Sequence, residues 1–284
     1  LLDAIQALLN GTPPDSEDIE VVPLADPFPW DWQDDPGATV GVVLYRAQLQ
    51  AGDTALAQHL NQALRERGLR PRLIWVSSLR DPAVQARVLD LLRSQGVQMV
   101  ITGTAFASVT TEQAGLGSAL WDSLDRPVLQ LLTAGTSRER WQQSSRGLEP
   151  LDLSLQVVMP ELDARVTTSP CAFRQARPPL GGLATAITTQ QPDRDGINWL
   201  VEHAACWIDL QDTPAEHRRV AMVLANYPVR DGRVANGVGL DTPASVVNII
   251  GWLADEGYQL GEHPIPSNGD RLIASLLAGR TNSA

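Results

Sequence analysis

Continuous apolar runs alternate with amphipathic stretches through the middle of the chain. The run Val40–Leu44 is typical of a strand buried on both faces. Similar runs predict strands at 73–76, 97–102 and 127–132. The segment 151–159 alternates apolar and polar positions in its first half, which predicts a fifth, half-exposed strand.

Helical signals lie between these runs. After Gly52-Asp53, apolar residues recur at helical spacing as far as Leu64, and Gly68 stands where a terminating glycine belongs. Asp81-Pro82 combines an N-cap with a proline in the first turn of a helix that stops at Gly96. Alternating strands and helices with short connections predict βαβ units and a parallel sheet. We therefore expect an α/β fold with a flavodoxin- or Rossmann-like unit at 39–173.

The remaining segments complete the predicted organisation. Residues 1–38 read as an acidic, irregular arm, because prolines interrupt them after a helix-like run at 1–9. Residues 174–217 read as a connector that contains a helix at 199–210. Residues 218–284 read as a partial second α/β unit. We expect it to have a strand at 218–225, a long loop at 226–240, a helix capped at Thr242-Pro243 that ends near 256, and a last helix near 267–277.

Composition excludes several functions. All 22 basic residues are arginine, and without lysine the chain has no Walker A site for ATP and no Schiff-base chemistry through lysine. The net charge of −11 disfavours nucleic-acid partners. No apolar run reaches the roughly 18 residues expected of a membrane span, and no signal-peptide pattern is present. Two cysteines without a CxxC motif favour a cytoplasmic location.

Candidate chemistry is expected beyond the carboxyl ends of the parallel strands, where open α/β sheets bind ligands. This rule selects Tyr45-Arg46, Ser77-Ser78, 102–104, 133–138, 161–163 and 226–228. Arg230 and Arg233 lie before a helix N-terminus, which suits an anionic group. The alternatives are helix caps, turns and surface salt bridges. The histidines show no metal-ligand spacing, so the metal ligands stay unknown.

Longer strings resemble a known family. The strings are Ala225–Pro228, Arg230–Arg233 and Ala235–Ser245, together with Leu44–Ala47, Val76–Arg80, Thr102–Ala107, Ser144–Leu148, Met159–Asp163 and Leu276–Asn282. They resemble the CobN family, the large subunits of aerobic, ATP-dependent cobaltochelatases, which are related to the H-type subunits of magnesium chelatases. CobN-type subunits are several times longer, so the chain is expected to be a piece that is inactive alone.

The resemblance implies a function. The family inserts Co(II), as substrate, into a corrin-type tetrapyrrole, hydrogenobyrinic acid a,c-diamide, in cobalamin biosynthesis. An AAA+ ATPase subunit would bind ATP with Mg, and a subunit with an integrin-like domain would complete the complex. Cobalt is favoured over magnesium by the loop Asn226–Arg233. Two alternatives are a porphyrin-binding subunit of the magnesium chelatase type and a non-catalytic docking domain for the ATPase. A third is an unrelated sugar- or nucleotide-binding α/β protein.

The same resemblance suggests site residues. Metal insertion needs a base that removes ring N–H protons, and the catalytic candidates are Glu161, Asp163, Glu202 and His203. Arginines suit the carboxylates of a corrin precursor. The candidate substrate-binding residues are Arg46, Arg138, Asn226, Tyr227, Arg230, Arg233, Asp241 and Thr242.

Overall fold

The computed structural model describes residues 9–11, 25–108, 119–177, 187–225, 235, 237, 239–262 and 264–278. The chain divides into two compact units, Leu1–Ile208 and Asp209–Ala284. The helix predicted at 1–9 falls almost wholly outside the described residues, and so does most of the loop predicted at 226–240. None of the described helices is both long and apolar enough to cross a membrane.

A seven-stranded sheet organises the first unit. Its strands, in chain order, are β1 Phe28–Trp30, β2 Thr39–Tyr45, β3 Arg70–Val76, β4 Met99–Thr102, β5 Val128–Ala134, β6 Val166–Arg177 and β7 Ile187–Pro192. The spatial order is β1-β3-β2-β4-β5-β6-β7; β2 to β6 are parallel, and the two edge strands are antiparallel. Among themselves the parallel strands follow the 2-1-3-4-5 order of flavodoxin-like folds. The expected α/β class and parallel sheet are confirmed.

The helices of the first unit lie between and after these strands. They are α1 Arg46–Gln50, α2 Ala55–Glu66, α3 Pro82–Ser94, α4 Ala119–Leu124, α5 Arg138–Gln143, α6 Pro150–Leu153, α7 Met159–Glu161 and α8 Arg194–Asp212, with a π-helical turn, Ser154–Val158, between α6 and α7. Asp81 caps α3 by accepting a hydrogen bond from Ala83 N at 2.8 Å. Gly68 follows α2 with a φ of +80°, a conformation that favours glycine. Both predicted helix boundaries are thus confirmed.

Helices cover both faces of the sheet, which explains the continuous apolar strands. Alternate residues of β2 point to opposite faces: Val42 packs with α2 and α8, and Val43 packs with α3 and α4. Gly41 lies where an added Cβ would meet a methyl of Leu92 on α3 at 2.5 Å, so that helix approaches the strand closely. Burial on two faces favours near-continuous apolar strands, with few buried polar side chains such as Thr102 and Gln130.

The strand predicted at 151–159 is wrong, because this segment is helical. Its α6, π-helical turn and α7 form one continuous helical stretch, here called the 150–161 segment. Pro150 suits the first turn of a helix, and the place beside β5 is taken by β6. Leu151, Leu153 and Val158 are exposed, so the alternation does not mark a buried face.

Two predicted irregular segments contain strands. Phe28–Trp30 pairs with β3 as an edge strand, which tolerates Pro29 because an edge position can spare the missing N–H. Arg65 on α2 forms ion pairs of 2.9 Å with Asp31 and Asp35, which attach this part of the predicted acidic arm to α2. The predicted connector begins inside β6 and includes β7, whose polar residues concealed the pairing. The helix predicted at 199–210 is confirmed and extended as α8.

The second unit is helical in the part that the structure describes. Besides a short 3-10 turn, Ala215–His217, it contains α9 Thr242–Asp255 and α10 Gly269–Ala278, close to the predicted positions. The strand predicted at 218–225 is wrong, because these residues form neither helix nor strand and most are exposed. The N-cap of α9 is Asp241, one residue before the predicted Thr242, because its carboxylate accepts a hydrogen bond from Ala244 N at 3.0 Å.

Candidate functional site

The carboxyl edge of the sheet has a switch point between β2 and β4, where successive connections leave in opposite directions. Ligands of open α/β folds bind at such points. Tyr45 ends β2, and its hydroxyl donates a 2.7 Å hydrogen bond to Ala105 O in the loop after β4. The next residue, Phe106, has a φ of 63° and is 41% exposed. Such a backbone conformation costs about 1–3 kcal/mol in a non-glycine residue.

The 150–161 segment is attached to the same edge. Gln156 accepts a 2.9 Å hydrogen bond from Thr133 N and donates one of 2.7 Å to Thr133 O. Asp152 accepts from Gly135 N at 2.7 Å. Leu155 O, in the π-helical turn, accepts from Phe106 N at 3.0 Å. Side chains of the segment thus bind the end of β5, while its backbone binds the loop after β4.

Asp163, one catalytic candidate, belongs to a buried ion pair. Its carboxylate lies 2.5 Å from Arg165 Nη2, and both side chains are fully buried. The same carboxylate accepts from the amide and hydroxyl of Ser108, at 2.7 and 2.9 Å. Burial lowers the pKa of Arg165, and the charge of Asp163 opposes that shift. This geometry joins the loop after β4 to the turn before β6 and gives Asp163 a structural role there.

Glu161 is exposed on the last turn of the 150–161 segment. The sequence predicts Glu161 at the carboxyl end of a strand, and that position is wrong. It is the last residue of helix α7 and precedes β6 by five residues, so it comes before the amino end of that strand. The solvent-exposed carboxylate is available to a ligand, in contrast to that of Asp163.

Glu202 and His203 lie on α8 at the opposite edge. Glu202 forms a 2.9 Å ion pair with Arg67, which follows α2 and comes three residues before β3, so this pair marks the amino edge. The His203 ring stacks on Trp199 at 4.8 Å, and Trp207 Nε1 donates to His203 Nε2 at 3.4 Å. The switch point and this pair are therefore at different ends of the strands.

Two candidate arginines lie at the carboxyl edge. Arg46 directly follows β2 and donates from Nη1 to Ala25 O at 3.2 Å. Arg138 follows β5 and pairs with Asp193 at 2.8 Å and Asp195 at 2.9 Å. Arg138 also lines a cleft of about 80 Å³ together with Phe173 and Arg174. The sequence does not predict Arg174 as a cleft residue, because residues from 174 onward read as a connector. Its place in the cleft follows from the pairing of β6 with β7.

The other candidates belong to the second unit or lie outside the described residues. Asn226, Tyr227, Arg230 and Arg233 are outside them. Asp241 caps α9, and Thr242 is its first residue. Within the described ranges, no group of three or more His, Cys, Asp and Glu side chains could hold a metal ion. Burial raises the pKa of the Cys171 thiol to about 12, so it is a poor ligand or nucleophile at neutral pH.

A known protein family matches most of the chain. The model of the CobN/Magnesium Chelatase family matches residues 16–284. The chain belongs to this family. The expected family relationship is thus confirmed, and it extends over both compact units. The match includes the switch point, the 150–161 segment and the capped helix α9.

Individual members of the CobN/magnesium chelatase family are similar over the same region. The chain is 37% identical over 246 residues to the aerobic cobaltochelatase subunit CobN of Sinorhizobium sp, covering 87% of this chain and 19% of that protein. It is 25% identical over 250 residues to the chloroplastic magnesium-chelatase subunit ChlH of Oryza sativa subsp. indica, covering 86% of this chain and 17% of the relative. The chain therefore spans about a fifth of the length of these curated relatives.

A solved structure shares the fold. The catalytic subunit of cobaltochelatase from Mycobacterium tuberculosis superposes with a TM-score of 0.79 at 28% sequence identity. The similarity covers 98% of this chain and 24% of that chain. The arrangement described above is therefore also that of one region of a cobaltochelatase catalytic subunit.

Proposed function

We propose that the chain forms part of a CobN-type cobaltochelatase large subunit and helps to bind a corrin-type tetrapyrrole for insertion of Co(II). The observation that carries this proposal is the 37% identity to a CobN subunit across 87% of the chain. The identity to magnesium-chelatase subunit ChlH is lower, at 25% over a similar share. This difference favours cobalt and a corrin precursor over magnesium and a porphyrin.

Metal insertion exchanges two ring N–H protons for the metal, so a base must reach the macrocycle. Of the four catalytic candidates, Glu161 suits this role best, because its carboxylate is exposed and Asp163 is enclosed with Arg165. Glu202 is paired with Arg67 and is a second candidate. We propose Glu161 as the base in the assembled enzyme.

The macrocycle carries carboxylate side chains that need cations at its rim. Arg46 and Arg138 lie at the carboxyl edge of the first unit, and Arg230 and Arg233, which precede α9 in the sequence, are separate candidates for binding carboxylates. We propose that an AAA+ partner binds ATP; this chain, which has no lysine, supplies no Walker A loop. A subunit with an integrin-like domain would complete the enzyme.

The proposal is tested by titrating the complete subunit with hydrogenobyrinic acid a,c-diamide and, separately, with protoporphyrin IX. The eight tryptophans provide a fluorescence signal that a bound conjugated ring quenches. We expect saturable quenching by the corrin precursor at lower concentrations than by the porphyrin. Tighter binding of the porphyrin would instead favour the magnesium-type function, and no binding of either would refute the proposal.

The base is tested with Glu161→Gln in the complete enzyme with its partners, Co(II) and ATP. Binding of the macrocycle should be retained, and the rate of cobalt insertion should fall by about 100-fold or more, as expected of a general base. Glu149→Gln is the matched control, because Glu149 makes an exposed ion pair with Arg140. Insertion at the normal rate in the Glu161 variant would exclude this residue as the base.

A further inference from the structure

Phe106 combines two features that folding alone does not require. Its φ of 63° lies in the left-handed region, which bulky side chains rarely adopt. The residue is nevertheless 41% exposed, so burial in the core does not account for an aromatic side chain at this strained position. A glycine would adopt the same backbone without strain.

Hydrogen bonds on both sides hold Phe106 in this conformation. Before it, Thr104 O accepts from Arg165 at 2.9 Å and from Gln130 at 3.2 Å. Ala105 O accepts from the Tyr45 hydroxyl, and Phe106 N donates to Leu155 O. Two residues later, Ser108 is bound by the buried Asp163 carboxylate. The surroundings therefore impose the strain, as happens at positions where a backbone is preorganised for binding.

The position of the ring indicates what it contacts. Phe106 is four residues beyond β4, at the switch point where sheets of this order bind flat, conjugated ligands such as flavins. The exposed side chains of Leu153 and Val158 add apolar surface on the 150–161 segment, whose backbone binds Phe106. Arg46, a cation suited to carboxylates, directly follows the Tyr45 that binds the adjoining carbonyl.

We infer that Phe106 is a binding residue whose ring stacks on the flat face of the conjugated macrocycle, while cations such as Arg46 meet carboxylates at its rim. This inference rests on the proposed function and adds a contact to the face of the ring. Aromatic rings stack on conjugated systems in offset or edge-to-face geometry, which gains free energy beyond the burial of area. The buried Asp163–Arg165 pair is a positioning device for this contact.

The test compares three variants of the complete subunit in the titration with hydrogenobyrinic acid a,c-diamide. Phe106→Gly removes the ring and relieves the strain, so we expect normal folding and a Kd that rises by about ten-fold or more. Phe106→Tyr keeps the ring and should bind within about two-fold of the parent. Ile265→Gly removes an apolar side chain of similar exposure (45%) from an irregular stretch of the second unit and should leave the Kd unchanged.

The outcomes separate this inference from the proposed function. If the parent binds the macrocycle and Phe106→Gly binds it equally well, the stacking contact is refuted and the proposed function stands. If Phe106→Gly keeps its affinity but lowers the melting temperature of the complete subunit, the ring packs against protein and the inference is again refuted. If the parent does not bind the macrocycle, both proposals are refuted together.

Discussion

At the residue scale, the buried ion pair of Arg165 with Asp163 supports the loop after β4. The Arg165 guanidinium is fully buried and binds Asp163, Thr104 and Gln130. Taking a charge out of water costs several kcal/mol, and only a well-bonded partner offsets this cost. The pair therefore acts mainly by fixing the loop after β4, which contains Phe106.

Replacing Arg165 by glutamine should strongly destabilise the protein. The variant leaves the Asp163 carboxylate buried without its partner, and we expect the free energy of unfolding to fall by about 3–5 kcal/mol. Urea unfolding followed by tryptophan fluorescence measures the change. The control is Arg67→Gln, whose exposed pair with Glu202 should be worth at most about 1 kcal/mol. Equal effects of the two substitutions would contradict the structural role of Arg165.

At the element scale, Asp241 illustrates why a candidate site residue must be separated from a helix cap. The string Ala235–Ser245, which resembles the family, contains Asp241-Thr242-Pro243 at the start of α9. Its carboxylate binds Ala244 N, which satisfies an amide at the start of the helix. A substitution that disrupts the cap would also disturb any ligand bound nearby, so stability and affinity must be measured separately.

The helix-capping and ligand-binding roles of Asp241 are distinguished by the substitutions Asp241→Ala and Asp241→Asn. Alanine removes the cap and should cost about 1 kcal/mol of stability, whereas asparagine caps almost equally well. Urea unfolding followed by tryptophan fluorescence, to which Trp252 on α9 contributes, measures the change. Asp81→Ala, which removes the equivalent cap of α3, is the reference for the size of the effect. If asparagine restores stability but not macrocycle affinity, the charge of Asp241 contributes to binding.

At the scale of the whole molecule, the two units differ in how much apolar surface they bury. In the first unit, helices on both faces leave the central strands almost wholly inaccessible. Among the described residues of the second unit, the buried apolar side chains are Ala235, Val246 and Leu272, and large ones such as Val223 and Trp252 are exposed. Local stability follows buried contacts, so it should be lower in the second unit.

Native-state hydrogen exchange of the 284-residue chain tests this difference. We expect the slowest amides in β2 to β5, and exchange at least about ten-fold faster in α9 and α10, because opening them exposes less apolar surface. Amides of α3, a helix of similar length to α9 but packed on the sheet, provide the internal comparison. Equal protection of α3 and α9 would show that the second unit is as stable as the first.

Local patterns predicted most of the regular structure of the first unit. The apolar runs of β2 to β5 and the cap at Asp81 are recognisable because burial and capping act on neighbouring residues. The strand predicted at 151–159 is wrong, although its alternating leucines fit a strand. Only the pairing of β6 with β5 shows that another segment occupies that position in the sheet. It also missed β6 and β7, because polar hairpin strands resemble loops when their pairing is unknown.

By itself, the sequence determined the α/β class, the absence of a lysine-dependent ATP site and the CobN/magnesium chelatase family. These properties follow from residue types, local periodicity and long matching strings. Only the tertiary structure decided that Asp163 is enclosed by Arg165, that Glu161 ends a helix, and that Phe106 is held strained and exposed at the switch point. Each of these depends on contacts between segments far apart in the chain, such as Tyr45 with Ala105, and no local pattern encodes them.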